Sequence, residues 1–306
     1  IIVKCIDAGP YDWIVYHRSL GATKYINLNS TAAAGTTINY WNNTEPTATQ
    51  FTVGGSGGVN GAGQTYVAYL FAHNAGGFPV SGGGSTNGIS CGSYTGNGTA
   101  GNAVTLGYEP QFVMIKRTDS TGNWLMQDIM RGIPNSGSSF YLYANTSDAE
   151  TDGGVPTVIP TATGFTLPSF AGWNASGGTF IYIAIRRGPM KVPTVGTSVF
   201  SPVAYTGTGA AATTTTGLVT DLAIIKSRGV YAPSFEDRLR GANRVLESSG
   251  TGAEITTTQY VLGFDTQTGV RIGTDVGVNG SGTTYINWAM RRAPGYFDVV
   301  CYSGTG

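Results

Sequence analysis

Three apolar runs punctuate the chain, and each is entered through the same polar turn. Residues 66–72 read Tyr-Val-Ala-Tyr-Leu-Phe-Ala, residues 180–185 Phe-Ile-Tyr-Ile-Ala-Ile, and residues 285–290 Tyr-Ile-Asn-Trp-Ala-Met. The strings before them are Asn60-Gly-Ala-Gly63-Gln-Thr65, Asn174-Ala-Ser-Gly177-Gly-Thr179 and Asn279-Gly-Ser-Gly282-Thr-Thr284. Asn and Gly supply the backbone conformations of tight turns. A nearly continuous apolar run, bounded by such turns and rich in aromatic and β-branched residues, predicts a strand buried on both faces. Because the turn recurs and always feeds this strand, Asn60, Gly63, Asn174, Gly177, Asn279 and Gly282 read as structural turn residues rather than as a ligand loop.

Aligning on that turn brings other segments into register. Residues 1–4, 113–116 and 223–226 are apolar strands that end on Lys4, Lys116 and Lys226. After a polar turn come Trp13-Ile-Val-Tyr-His17, Trp124-Leu-Met-Gln-Asp128 and Ser234-Phe-Glu-Asp237, then Gly21, Gly132 and Gly241. A second hairpin arm follows at 25–29, 140–143 and 244–246, and a short strand at 51–53, 165–167 and 261–264. Helical periodicity is scarce; the best candidate, 235–240, is one or two turns at most. Short strands separated by Gly-rich turns at a period of roughly 100 residues predict an all-β chain of three tandem lectin-like β-sandwiches of jelly-roll type, mainly antiparallel.

A further signature, Tyr94-Thr-Gly-Asn-Gly98, Tyr205-Thr-Gly-Thr-Gly209 and Tyr302-Ser-Gly-Thr-Gly306, precedes the lysine strand in the second and third units and marks a unit's first strand. The expected organisation is unit 1 at 1–87, without that first strand, unit 2 at 88–192, unit 3 at 193–296, and at 297–306 the start of a further unit or a strand exchanged with a neighbour. The chain then reads as a piece of a longer tandem array, or unit 1 takes its first strand from elsewhere; the lack of an initiator methionine points the same way. Linkers are expected near 78–87, which contains Gly82, Gly83 and Gly84, and near 189–202, which carries three prolines.

Composition narrows the function. The 17 acidic and 17 basic side chains cancel, so no global field attracts nucleic acid or an anionic membrane. Gly 47 alongside a hydrophobic fraction of 41% fits a folded β protein with many turns rather than disorder. Cys5, Cys91 and Cys301 are too sparse for a disulfide framework or a zinc site and read as buried free thiols. No window reaches the roughly 18 apolar residues of a membrane span, and the N-terminus has no signal-peptide core.

Catalytic chemistry finds little footing. His17 stands where the other units have Asp128 and Asp237, and His73 where they have Arg186 and Arg291. A repeated catalytic group keeps its chemical type, so both read as polar strand-end residues. The acidic run Asp148-Ala-Glu-Thr-Asp152-Gly153 imitates the start of a calcium loop, but Ile159 stands where the bidentate carboxylate belongs, so no metal site is expected. Glu45, Glu109, Glu236 and Glu254 fall at unrelated positions in their units, which disfavours a glycosidase pair. No cofactor is expected. The ligand-binding candidates are Tyr40, Trp41 and Asn43 in the loop Asn39-Tyr-Trp-Asn-Asn43, where a flat ring flanked by amides stacks on a sugar or packs beneath the loop. Trp13, Trp124 and Trp288 sit within strand patterns and read as core.

Trp13-Ile-Val-Tyr-His-Arg18, the string at 25–32, Tyr94-Thr-Gly-Asn-Gly98, Trp124 with Asp128, and Trp173-Asn-Ala-Ser-Gly-Gly-Thr179 together resemble tandem modules of large virion proteins of tailed bacteriophages, as found in aquatic phages. Unit 3 departs by placing Ser234 or Phe235 where a tryptophan stands. The resemblance implies a non-enzymatic structural or tail-fibre-like protein of the virion, extracellular, partnered by copies of itself, other virion proteins and a host surface glycan. The alternatives are a carbohydrate-binding module of a cell-surface or secreted protein and a polysaccharide depolymerase.

Overall fold

The computed structural model describes residues 1–76, 78–79, 85–131, 139–152, 154, 157–186, 193–293 and 295–299. The protein is nearly all β, and every strand pairing among the described residues is antiparallel. Repeat 3 is a complete sandwich. Its larger sheet runs, in spatial order, Phe200–Thr206, Thr284–Met290, Leu222–Ser227, Ser234–Asp237, Arg244–Glu247 and Ile255–Thr256. A smaller sheet of Ala212–Thr215, Gly269–Ile272 and Val261–Gly263 lies against it. Between the two, Ala223, Ile225 and Tyr285 pack on Val261, Phe264, Val270 and Ile272. Repeat 2 follows the same order, with the central strand Thr179–Arg186 between the opening strand Ile89–Thr95 and the lysine strand Pro110–Arg117.

Among the described residues repeat 1 has only the larger sheet, in the order Gly35–Thr36, Lys24–Asn27, Ile14–Val15, Ile2–Cys5 and Tyr66–Tyr69. The strand expected at 51–53 does not form. In repeats 2 and 3 that strand belongs to the smaller sheet, one member of which, Asn102–Thr105 or Ala212–Thr215, comes directly after an opening strand that repeat 1 lacks among the described residues. Phe51 and Val53 instead pack as partly buried cover on Val3, Ile14, Tyr16, Trp41 and Val59.

Burial of the three central strands differs from the expectation of two covered faces. In repeat 2 the strand is buried from Phe180 to Ala184, because its second face meets repeat 1: Ile181 and Trp124 join Ile2, Val15 and Ile26 in one apolar cluster. The Trp124 indole also donates to the Asn27 carbonyl at 2.9 Å. In repeat 3 only alternate residues, Tyr285, Asn287 and Ala289, are buried. In repeat 1 the strand is half exposed, for it lies at the sheet edge.

The predicted helix at 235–240 is instead the end of the strand Ser234–Asp237 and a turn. Among the described residues four single-turn α-helices occur, Ile38–Trp41, Gly57–Asn60, Ala171–Asn174 and Val276–Asn279. The last three end on the asparagine of the recurring turn. The chain divides into two compact units. One comprises Ile1–Gln127, Tyr141–Asp152 and Pro160–Gly188, and the other Asp128–Phe140, Gly153–Ile159 and Pro189–Gly306. Within the linker expected at 78–87, Phe78–Pro79 pairs with Ser85–Thr86. Gly132, the triple glycine at 82–84, residues 189–192 of the second linker, Gly153, Cys301 and residues 300–306 lie outside the described residues.

Candidate functional site

The recurring asparagine is one half of a latch, and the opening strand is the other. Asn174 is fully buried (0%). Its Oδ1 accepts the Asn97 N–H at 2.9 Å, its Nδ2 donates to the Thr99 and Pro168 carbonyls at 2.7 and 2.8 Å, and its own carbonyl accepts the Gly98 N–H at 2.8 Å. Asn279 repeats the set, taking the N–H groups of Thr208 and Gly209 and donating to the Ala210 and Gly273 carbonyls. A carboxamide suits this place because it offers donors and acceptors together.

The Tyr-x-Gly-x-Gly signature explains itself in the same geometry. The Tyr94 and Tyr205 hydroxyls donate to the carbonyls of Trp173 and Val278 at 2.6 and 2.5 Å. Their rings stack on the first aromatic residue of the central strand, Tyr94 on Phe180 at 5.1 Å and Tyr205 on Tyr285 at 5.2 Å. A Cβ on Gly96 or Gly207 would collide with the carbonyl oxygen of Ala175 or Gly280, so only glycine fits. Gly63, Gly177 and Gly282 share φ near the left-handed region, at 71°, 74° and 73°. The sequence shows both halves as separate signatures; their joint occurrence in units 2 and 3 is the signal that they meet.

In repeat 1 the receiving half is present, and no opening strand is seated on it among the described residues. The Tyr66 hydroxyl accepts the Gly61 N–H and donates to the Gly57 carbonyl at 2.6 and 2.5 Å, as Tyr285 does with Gly280 and Val276. Asn60, however, is exposed, and its side chain has no hydrogen bond among the described residues.

The proposed sugar platform is dismantled. Trp41 is only 2% exposed and packs edge-on against Tyr16 at 5.8 Å, so its ring is core and not a stacking surface. The cause is the one-turn helix capped by Thr37, which turns Trp41 inward beneath the loop. Tyr40 is half-buried and set edge-on to Tyr25 at 4.6 Å. Asn43 is exposed at φ 48° in the turn after the helix. The three therefore do not form one face.

His17 is a turn cap. Its Nδ1 accepts the Ser19 N–H at 3.2 Å, and Nε2 lies 3.1 Å from the Tyr182 carbonyl, which fixes the proton on Nε2. Asp128 Oδ1 takes the Met130 N–H and Asp237 Oδ1 the Arg240 N–H, so two chemical types, an imidazole and a carboxylate, close one turn. Burial lowers the His17 pKa to about 4. His73 Nδ1 accepts the Cys91 N–H at 3.0 Å. Cys5 and Cys91 are buried free thiols. Glu45 binds the Tyr16 hydroxyl and the Ala22 N–H, and Glu254 bridges Arg240 and Arg244. Glu236 is fully buried and accepts the Val261 N–H at 3.0 Å; burial pushes its carboxyl up to about 8. Its register equivalents are the neutral Gln127 and Tyr16, so a protonated carboxyl stands where a neutral polar group is needed. Among the described residues no group of three or more His, Cys, Asp or Glu side chains is placed to hold a metal ion, and no helix is long and apolar enough to cross a membrane.

The arrangement defines a class: a nearly all-β protein of repeated antiparallel units, closed by a strand latch. The chain belongs to the family described as Domain of unknown function (DUF7483), which matches residues 1–189 and 195–306. No curated protein and no solved structure matches it.

Proposed function

We propose that this chain is a non-enzymatic structural protein of a phage virion, part of a tail fibre or similar appendage that contacts the host surface from the extracellular side. The observation that carries the reading is the latch. What the repeats share is the machinery of folding and strand capture, while the groups that could do chemistry are spent on closing turns, as His17, Asp128 and Asp237 are. A durable array of such units, low in charge and tightly turned, suits an exposed rigid appendage. Host contact falls to loops that differ among the copies, with copies of itself and other virion proteins as partners. Antibody labelling of purified particles tests the reading: decoration of an appendage is expected, and absence of the chain from the particle overturns it.

A further inference from the structure

The outward face of the larger sheet in repeat 3 is apolar across four strands. Ala223, Ile225 and Tyr285 point into the sandwich, so by the alternation of a strand Ile224 and Trp288 point out of it. The register sets Trp288, Ile224, Phe235 and Leu246 side by side in one row. Leu246 is 39% exposed, and the other three are half-buried. The charges that flank the row already have partners. On one side Asp237, Arg240, Glu254 and Arg244 form a chain of ion pairs, and on the other Lys226 Nζ donates to the Ser227, Gly229 and Tyr231 carbonyls. Covering the row therefore strands none of these charges.

Repeats 1 and 2 show what such a face packs against. The equivalent row in repeat 1 is Tyr69, Ile2, Val15 and Ile26, and of these Ile2, Val15 and Ile26 are at most 7% exposed. Their cover is the outward face of repeat 2, through Ile181, Trp124 and Met114. Lys116, the equivalent of Lys226, is fully buried, and its Nζ donates to the Thr31 carbonyl of repeat 1 at 3.1 Å. Like face thus meets like face within the chain. We propose that the outward face of repeat 3 docks on the same face of a second copy, with Trp288, Ile224, Phe235 and Leu246 of each at the centre. The faces of repeats 1 and 2 are engaged with each other, so the like face that a second copy offers is that of its own repeat 3. The ion-paired residues then form the polar rim of an apolar centre. A patch that meets its own copy makes an isologous contact, which closes at the dimer. The inference stands on the repeats themselves and holds whether or not the chain is a virion component.

The test uses the chain of 306 residues in reducing buffer, which keeps thiols from cross-linking copies. Sedimentation velocity over a wide concentration range should show monomer and dimer in exchange and nothing larger. Leu246→Glu should weaken the dimer about tenfold or more, because each copy then carries an unpaired charge into the apolar centre. Phe235→Glu repeats the test from the neighbouring strand. Ile38→Glu charges a 53% exposed residue of repeat 1, away from the face, and should leave the dimer unchanged. Thermal melting of each variant checks that it folds. A parent that stays monomeric at every concentration, or a dimer that survives both Leu246→Glu and Phe235→Glu, would overturn the proposal. So would growth beyond the dimer, or a dimer lost on Ile38→Glu, which would place the contact elsewhere. The concentration dependence of the parent decides the question even if a variant of the face fails to fold.

Discussion

A buried carboxamide with every polar atom engaged is costly to delete, because its partners remain buried without it. Removing Asn174 strands the Asn97 N–H and the Thr99 and Pro168 carbonyls. Each unsatisfied group costs about 1–3 kcal/mol, so Asn174→Ala should destabilise the protein by ~3 kcal/mol or more in chemical denaturation. Asn60→Ala should be nearly silent, because its exposed side chain has no hydrogen bond among the described residues. Equal losses at the two sites would mean that the turn, and not the captured strand, is what the asparagine supports. Gly177→Val should cost about 1–3 kcal/mol through its backbone conformation alone, for nothing lies within 4 Å of the added Cβ. Any surface binding should survive both repeat 2 changes, and its loss without a change in stability would return the turn to the ligand-loop reading.

At the scale of elements, the lysine strands, the hairpin arms and the turn-fed central strands were all legible, because in each an apolar run meets polar punctuation. Lysine proved to be part of that punctuation: Lys226 Nζ donates to the Ser227, Gly229 and Tyr231 carbonyls and closes the turn after its strand. Ser234–Asp237 was read partly as helix because its polarity is inverted. Ser234 and Glu236 are buried while Phe235 is half exposed, so hydrophobicity there points away from the core. The strand at 51–53 failed for a different reason: a strand needs a partner, and similarity to the other repeats predicts the strand without supplying one among the described residues. Trp41 was ambiguous because an aromatic beside amides fits a sugar and a core equally well, and only the one-turn helix decides. Trp41→Ala should therefore cost ~3–5 kcal/mol, the range for emptying a large buried aromatic, with glycan binding unaltered in the fraction that remains folded. A stable variant with lost glycan binding would restore the platform.

For the whole molecule, two buried titratable groups in different compact units set opposite pH responses. His17 has its folded pKa lowered from 6.5 to about 4. Between these values the unfolded chain binds a proton that the folded one refuses, so stability falls as the pH drops from 6.5 to 4, by about 3 kcal/mol in all. Glu236 has its folded pKa raised from 4.5 to about 8. Here the folded chain keeps a proton that the unfolded one releases, so the stabilisation present below 4.5 is lost as the pH rises through 8. Acid should thus loosen first the unit that contains His17, and a rise in pH from 4.5 to 8 the unit that contains Glu236. Hydrogen exchange resolved by segment, measured across that pH range, separates the two responses. The repeats supply the controls, because Glu236→Gln installs the residue found at Gln127 and should flatten the slope between pH 4.5 and 8 in its unit alone. His17→Asn keeps an acceptor for the Ser19 N–H without a titrating ring and should flatten the acid slope in the other. If either variant leaves its slope unchanged, that group does not govern the pH response, and its burial has been relieved in solution by water or by motion.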